Sequence, residues 1–238
     1  MIATSERPPS VLVLLAHPDD PEYFCGGTVA RWCSEGRSIA YCLVTSGDKG
    51  ADDPVDAEAL ARRREDEQRA AAAVLGVAEV IFLRRADGTL EPSLELRREL
   101  TRVIRRVRPD VLITCDPTTL YPRGRRINHA DHRAVGAAAL DAVYPAAGSA
   151  LFFPELLAEG LEPHKVRQVY LAGTQYPDTT IDVTAFLDRK LEALRCHRSQ
   201  ISDFEEVARN VAERLRDPDS PPDAPRYVEQ FHLLTPFD

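Results

Sequence analysis

The stretch VLVLLAHPDDPE, residues 11–22, decides the fold. Its first six residues are a short continuous apolar run, the pattern of a central parallel strand buried on both faces. Its second half turns abruptly into His17, Pro18, Asp19, Asp20, Pro21 and Glu22. Ligands bind at the carboxyl ends of strands in open α/β sheets, so this switch from apolar to acidic marks a functional loop directly after strand one. The alternation continues downstream. Apolar spacing and a closing Gly36 predict a helix over 26–36. A strand over 39–45 and an Ala- and Arg-rich helix over 58–76 follow. Next come a strand over 79–83, a helix over 93–107 that stops before Pro109, and a strand over 110–115. A helix over 132–143, a strand over 166–172 and a late helix over 184–198 complete the series. The order predicts an α/β fold, a three-layer Rossmann-like arrangement with a mostly parallel sheet and helices on both faces. No repeat or low-complexity segment interrupts it. Residues 218–225, PDSPPDAP, read as a surface loop, and 1–238 reads as a single domain.

Composition narrows the class of function. The chain has 238 residues with 30 Lys+Arg against 38 Asp+Glu, a formal charge of −8. An acidic balance argues against a general nucleic-acid binder, which needs clustered basic residues. No apolar run approaches the roughly 18 residues of a membrane span, so no span is expected. The N-terminal MIATSERPPS is polar, and VLVLLA is too short for a signal-peptide core. The five cysteines are odd in number and lack a CxxC pair, which fits a reduced cytoplasmic protein.

Two polar clusters fall at the same edge of the sheet. The first, AHPDDPE (16–22), places His17 and Asp20 three residues apart, and Pro18 restricts the turn between them. Adjacent aspartates at the end of an apolar strand repel each other and lose hydration, which a divalent cation relieves. The second, INHADHR (127–133), places His129 and His132 one helical turn apart. Two histidines and one carboxylate drawn from these clusters would leave a fourth position open, as in a hydrolytic zinc site. There is no HExxH. The blander alternatives are an Asx-capped turn for the first cluster and a helix N-terminus favoured by Asp131 for the second.

The sequence resembles the PIG-L/LmbE-like zinc-dependent N-deacetylases. The matching segments are AHPDD with PEYFCGGTVAR, TSGDKG, RREDEQRAAAAVLGV, RPDVLITCDP, HADHRAVGAAALDAV and KLEALRCHRSQ, which together span most of residues 11–200. The resemblance implies that His17, Asp20 and His132 bind Zn2+, with Fe2+ able to occupy the same ligands. It implies that Asp19 is the general base for the attacking water and that His129 stabilises the oxyanion or protonates the leaving amine. It further implies that Asp131 orients its histidine neighbours and that Arg64 reaches substrate hydroxyls. Many members read AHPDDE. Here Pro21 intervenes and Glu22 takes the supporting place, grouped with Arg64 and Asn128 as substrate-side residues. The implied activity is removal of the N-acetyl group from an amino sugar or its glycoside. The competing readings are an amidase for a larger N-acyl group, similar to mycothiol-conjugate amidases, and a non-catalytic metal- or sugar-binding relative. A homo-oligomer, trimer or hexamer, is also implied.

Other residues carry less. Asp48 and Lys49 suit a turn as well as substrate contact. Tyr121, Arg123, Arg125 and Arg126 lie in a long loop before the second cluster, where sugar or phosphate contacts are conceivable. Asn128 is favoured among the loop residues because it adjoins His129. Cys25 reads as a small buried apolar residue rather than a thiolate ligand. His197 has no derivable role beyond a helix C-terminal cap, and His164 and His232 read as packing or surface residues.

Overall fold

The computed structural model describes residues 8–51, 53–124 and 126–237. Seven strands form one sheet: β1 (Val11–Leu15), β2 (Ile39–Thr45), β3 (Glu79–Arg85), β4 (Val111–Cys115), β5 (Gln168–Ala172), β6 (Thr179–Asp182) and β7 (Val228–Leu234). Their spatial order is β3-β2-β1-β4-β5-β7-β6. The first five strands run parallel, while β7 is antiparallel to both β5 and β6. The helices are α1 (Asp20–Ser34), α2 (Ala57–Leu75), α3 (Leu94–Val107), α4 (Ala130–Asp141), α5 (Glu155–Ala158), α6 (Leu187–Leu194) and α7 (Phe204–Leu215).

Every β1 residue is buried, because alternate side chains feed two separate cores. Leu12 and Leu14 pack with Leu96, Leu100 and Ile104 of α3 and Val135 and Ala138 of α4. Val11, Val13 and Leu15 pack on the other face with Val29 of α1, Ala71 and Leu75 of α2, and Ala193 of α6. Each buried Val, Leu or Ile among them stabilises by roughly 1.5–3 kcal/mol. The three-layer α/β expectation is met. The chain moves outward from β1 to β2 and β3, then returns to the other side of β1 for β4. The β1/β4 boundary is therefore the crevice where strand order reverses, and the loops after these two strands face each other across it.

Three local expectations need correction. The first helix starts at Asp20 and not at residue 26, so the loop after β1 is only Ala16–Asp19. Pro21 sits in the first turn, where its missing N–H costs no helix bond, and the apparent break falls at Cys25, a kink with φ −145° inside the helix. Helix α7 and the antiparallel β6–β7 pair are elements that the sequence pattern above does not predict. The late helix over 184–198 divides into a 3-10 turn (Thr184–Phe186) and α6.

The C-terminal elements anchor the first helix. Glu229 of β7 accepts the backbone N–H groups of Gly27 (3.0 Å) and Thr28 (2.7 Å), and it pairs with Lys190 of α6 at 2.7 Å. Both partners are essentially fully buried. Lys190 also donates to the Tyr23 carbonyl. Breaking such a pair by removing one partner typically costs about 3–5 kcal/mol, since a bare buried charge remains.

Candidate active site

The loop Ala16–Asp19 and the first turn of α4 meet at the β1/β4 crevice. Helix α4 reaches it because Gly136 lies against the end of β4. A Cβ there would come within 2.3 Å of the Cys115 carbonyl oxygen. Three side chains converge. One ligand atom each from His17, Asp20 and His132 lies within 4.8 Å of the others. Asp20 Oδ2 is 3.4 Å from His17 Nδ1, and Asp20 Oδ1 is 3.1 Å from His132 Nε2. Asp20 Oδ2 also accepts the His17 N–H at 2.9 Å, which closes the short loop on itself.

The remaining ring nitrogens have partners that fix the tautomers. His17 Nε2 faces Asp131 Oδ2 at 3.2 Å and Asp87 Oδ1 at 3.1 Å. Carboxylates only accept, so Nε2 carries the proton and Nδ1 is the nitrogen left for a metal. His132 Nδ1 faces Asn128 Oδ1 at 3.3 Å, while the Asn128 amide donates to the Thr119 carbonyl at 2.8 Å. The amide orientation thereby puts the His132 proton on Nδ1 and leaves Nε2 toward Asp20. Carboxylate and amide partners of this kind orient metal-ligating histidines.

The electrostatics fit a cation. Burial alone would lower the His17 imidazole, but hydrogen bonds to Asp131, Asp20 and Asp87 outweigh it and push it up to about 12. Against a burial effect that would raise them, His132 and His17 hold Asp20 well below the usual carboxylate range, and His17 holds Asp87 at about 2. Three aspartates, 20, 87 and 131, thus surround one imidazole. They stabilise either an extra proton or a divalent ion in its place. The 2-His-1-carboxylate donor set is suited to zinc or iron(II). His17, His129 and Asp131 also approach one another closely, but this second group shares His17. Its other atoms are engaged: Asp131 accepts from Gly88 N–H (2.7 Å) and Leu90 N–H (3.1 Å), and His129 Nδ1 accepts the Asp131 N–H at 3.2 Å.

That last bond makes His129 the N-cap of α4, so in its neutral form the ring carries its proton on Nε2. Its ring centre lies 4.6 Å from that of His17, edge to face, and the residue is exposed at the mouth. Burial and the nearby His17 charge lower its imidazole, favouring this neutral form.

Asp19 has a left-handed backbone, φ 91°, and its carboxylate makes no helix-capping bond. It faces Arg64 Nη2 at 3.3 Å. The Arg64 guanidinium donates to the carbonyls of Pro18 (2.7 Å) and Gly47 (3.1 Å). Gly47 is required here: its φ is 65°, and a Cβ would lie 2.1 Å from Arg64 Nη1. Burial and the adjacent Asp20 push Asp19 up to about 7, against the pull of Arg64.

The structure gathers His17, Asp19, Asp20, His129, Asp131 and His132, and it relocates the three residues assigned to substrate. Glu22 is 0% exposed and bonds to Gln68 and His197, so substrate contact is ruled out for it in this arrangement. Arg64 is 4% exposed and holds the loop and Asp19. Asn128 orients His132. Among the side residues, Asp48 accepts the Asp87 N–H and Lys49 donates to the Asp87 carbonyl, so both lock loops together. Cys25 is fully buried and its thiol is pushed well up by that burial, in keeping with packing. Arg125 and the side chain of Arg123 lie outside the described residues. No sequence signal marks Asp87 or Gln68: an Asp-Gly pair after a strand reads as a turn, and Gln68 reads as one polar residue on a charged helix.

The family model described as "PIG-L: GlcNAc-PI de-N-acetylase" matches residues 12–143. The chain is 35% identical to diacetylchitobiose deacetylase from Thermococcus kodakarensis over 191 residues, covering 80% of this chain and 69% of that protein. It is 28% identical to the 1D-myo-inositol 2-acetamido-2-deoxy-alpha-D-glucopyranoside deacetylase of Kineococcus radiotolerans, covering 83% and 70%. The solved structure of N,N'-diacetylchitobiose deacetylase from Pyrococcus horikoshii, bound to the inhibitor MPG, superposes with a TM-score of 0.82 at 29% identity. That match covers 98% of this chain and 90% of the other. With a seven-stranded sheet of this order and a His/Asp/His group at its reversal point, the chain belongs to the PIG-L family of de-N-acetylases.

Proposed function

We propose that this protein hydrolyses the N-acetyl amide of an N-acetylglucosaminyl conjugate, using a zinc ion held by His17 Nδ1, a carboxylate oxygen of Asp20 and His132 Nε2. Its relatives are deacetylases, so the reaction class is hydrolysis of a linear amide bond. The observation that carries the site assignment is the meeting of these three donors next to Asp19, a carboxylate outside the donor set. Bound zinc supplies a polarised acyl oxygen and lowers the pKa of water from 15.7 to about 7.

The protein residues do the proton work. The Asp19 carboxylate takes a proton from the attacking water as its oxygen bonds to the acyl carbon. Burial raises that carboxyl, so once protonated it can return the proton to the amine nitrogen as the C–N bond breaks. His129 offers its Nε2–H to the developing oxyanion. Arg64 keeps the Asp19 carboxylate in place, and Asp131 with Asp87 keeps His17 turned. Five unpaired cysteines support a reduced, cytoplasmic setting. Among the described residues no helix is long and apolar enough to cross a membrane. A single domain and a homo-oligomer belong to the same proposal, the latter open to sedimentation analysis.

The test is acetate release by the zinc-loaded protein from diacetylchitobiose and from N-acetylglucosaminyl-inositol and -malate, with a bulky N-acyl analogue alongside. Asp19→Asn is expected to retain zinc and lose about 10²–10⁴ in turnover. No acetate from any of these, or faster cleavage of the bulky amide, overturns the reading. Parallel loading with iron(II) decides the metal.

A further inference from the structure

Behind Asp19 lies a chain of polar groups that the hydrolysis itself does not use. The Asp19 N–H donates to Gln68 Oε1 at 2.8 Å. Gln68 Nε2 donates to both oxygens of Glu22, at 3.1 and 3.0 Å. His197 Nε2 faces Glu22 Oε2 at 3.0 Å. Gln68 and Glu22 are 0% exposed and His197 is 1% exposed. Such groups are costly to bury, and apolar residues would pack there with less penalty.

Their order has a chemical logic. As the N-cap of α1, Asp19 has an N–H with no acceptor inside the helix, and a left-handed non-glycine residue costs roughly 1–2 kcal/mol unless its surroundings hold it. Gln68 supplies the acceptor. An amide can turn over, however, and present its NH2 end instead. Glu22 only accepts, so it selects the Gln68 orientation in which Oε1 meets Asp19. His197, just after α6, holds Glu22 from the far side. Gln68 is one turn beyond Arg64 on α2, so one helix face grips both the backbone N–H and the carboxylate of Asp19.

We propose that His197, Glu22 and Gln68 form a positioning relay that holds Asp19 in its left-handed conformation, so that its carboxylate faces the attacking water. This rests on Asp19 being the base. The relay assigns a role to the CHRSQ segment beyond packing. In the same turn, Ser199 donates to Glu67 and Gln200 donates to the Gly50 carbonyl, fastening the segment to α2 and to the Gly47–Gly50 loop.

Gln68→Met keeps the side-chain shape and removes all three hydrogen bonds. The expected result is a kcat loss of about 10–100-fold, the scale for a misplaced catalytic group, with KM and zinc affinity within about twofold of wild type. In an Asp19→Asn background, Gln68→Met is expected to cause no further loss, because the group it positions is already gone. His197→Gln, which keeps an N–H donor, is expected to retain more activity than His197→Leu. An equal loss from Gln68→Met in both backgrounds, or a change in KM alone, overturns the relay. If the wild type releases no acetate, the functional reading fails separately. The crystal structure of Gln68→Met then decides the relay, which predicts that Asp19 leaves positive φ and is refuted if it stays.

Discussion

Replacing Asp131 with asparagine probes how the metal site is held. Asp131 is fully buried and accepts three bonds: Gly88 N–H and His17 Nε2 at Oδ2, and Leu90 N–H at Oδ1. A carboxamide has one oxygen. Whichever way it turns, an NH2 group faces a buried donor. The less costly orientation keeps Gly88 and His17 and sets the NH2 against Leu90 N–H. One unsatisfied buried donor costs about 1–3 kcal/mol. For a chain of this size that corresponds to a melting temperature lower by roughly 2–12 °C. Loss of the charged partner on His17 is expected to weaken zinc about 10–100-fold, or about 1.4–2.7 kcal/mol. Asp87 Oδ1 lies 3.1 Å from the same nitrogen, so the single variant should fall at the low end and Asp87→Asn/Asp131→Asn at the high end. Scanning calorimetry before zinc addition reads the stability change, and competition with a chelator reads the affinity. A double variant that binds zinc as tightly as wild type would refute the assignment of these carboxylates to His17.

Two further outcomes follow from the charged groups. Acetate release should decline in acid as Asp19 takes up a proton. Burial and Asp20 place that carboxyl near 7, and a divalent cation beside Asp20 draws it lower, so the acid limb should lie below 7. A flat profile from pH 5 to 8 contradicts this. Glu65 behaves oppositely. Burial would raise it, but hydrogen bonds from Arg84, Ser46 and Arg69 hold it at about 2, below its ordinary 4.5. A depressed carboxyl contributes stability that is present above 4.5 and disappears as pH falls toward 2. The melting-temperature gap between wild type and Glu65→Gln should therefore be full at neutral pH and close across that window. A constant gap shows that packing, not charge, explains Glu65.

The parts that were readable from sequence are those where one physical signal dominates. β1, β2 and β4 lie between two helical layers, so their apolar runs are unbroken and their ends are clear. His17, Asp20, His129 and His132 stood out because their motifs are compact. The sequence pattern marks helix α1 only from residue 26, six residues inside it, because Pro21 and the Gly26–Gly27 pair resemble breaks, although the proline lies in a tolerant first turn. β6 has only four residues and half-exposed alternation, too little pattern to separate it from loop. The roles of Glu22, Gln68 and His197 depend on contacts across 46 and 175 residues of chain, which no local window contains. Asp87 meets His17 by the same long-range route.

The Lys190–Glu229 anchor has a consequence for the order of synthesis. The ribosome releases His17, Asp20 and His132 well before Glu229 is polymerised, and the carboxylate that accepts from Gly27 and Thr28 in the folded protein is made only then. A nascent chain therefore displays His17, Asp20 and His132 while its first helix still lacks this fastening. Cleavage or stalling upstream of residue 229 would leave Lys190 a bare charge beneath α1, so a chain truncated there is expected to lose the stability of that pair while still carrying His17, Asp20 and His132.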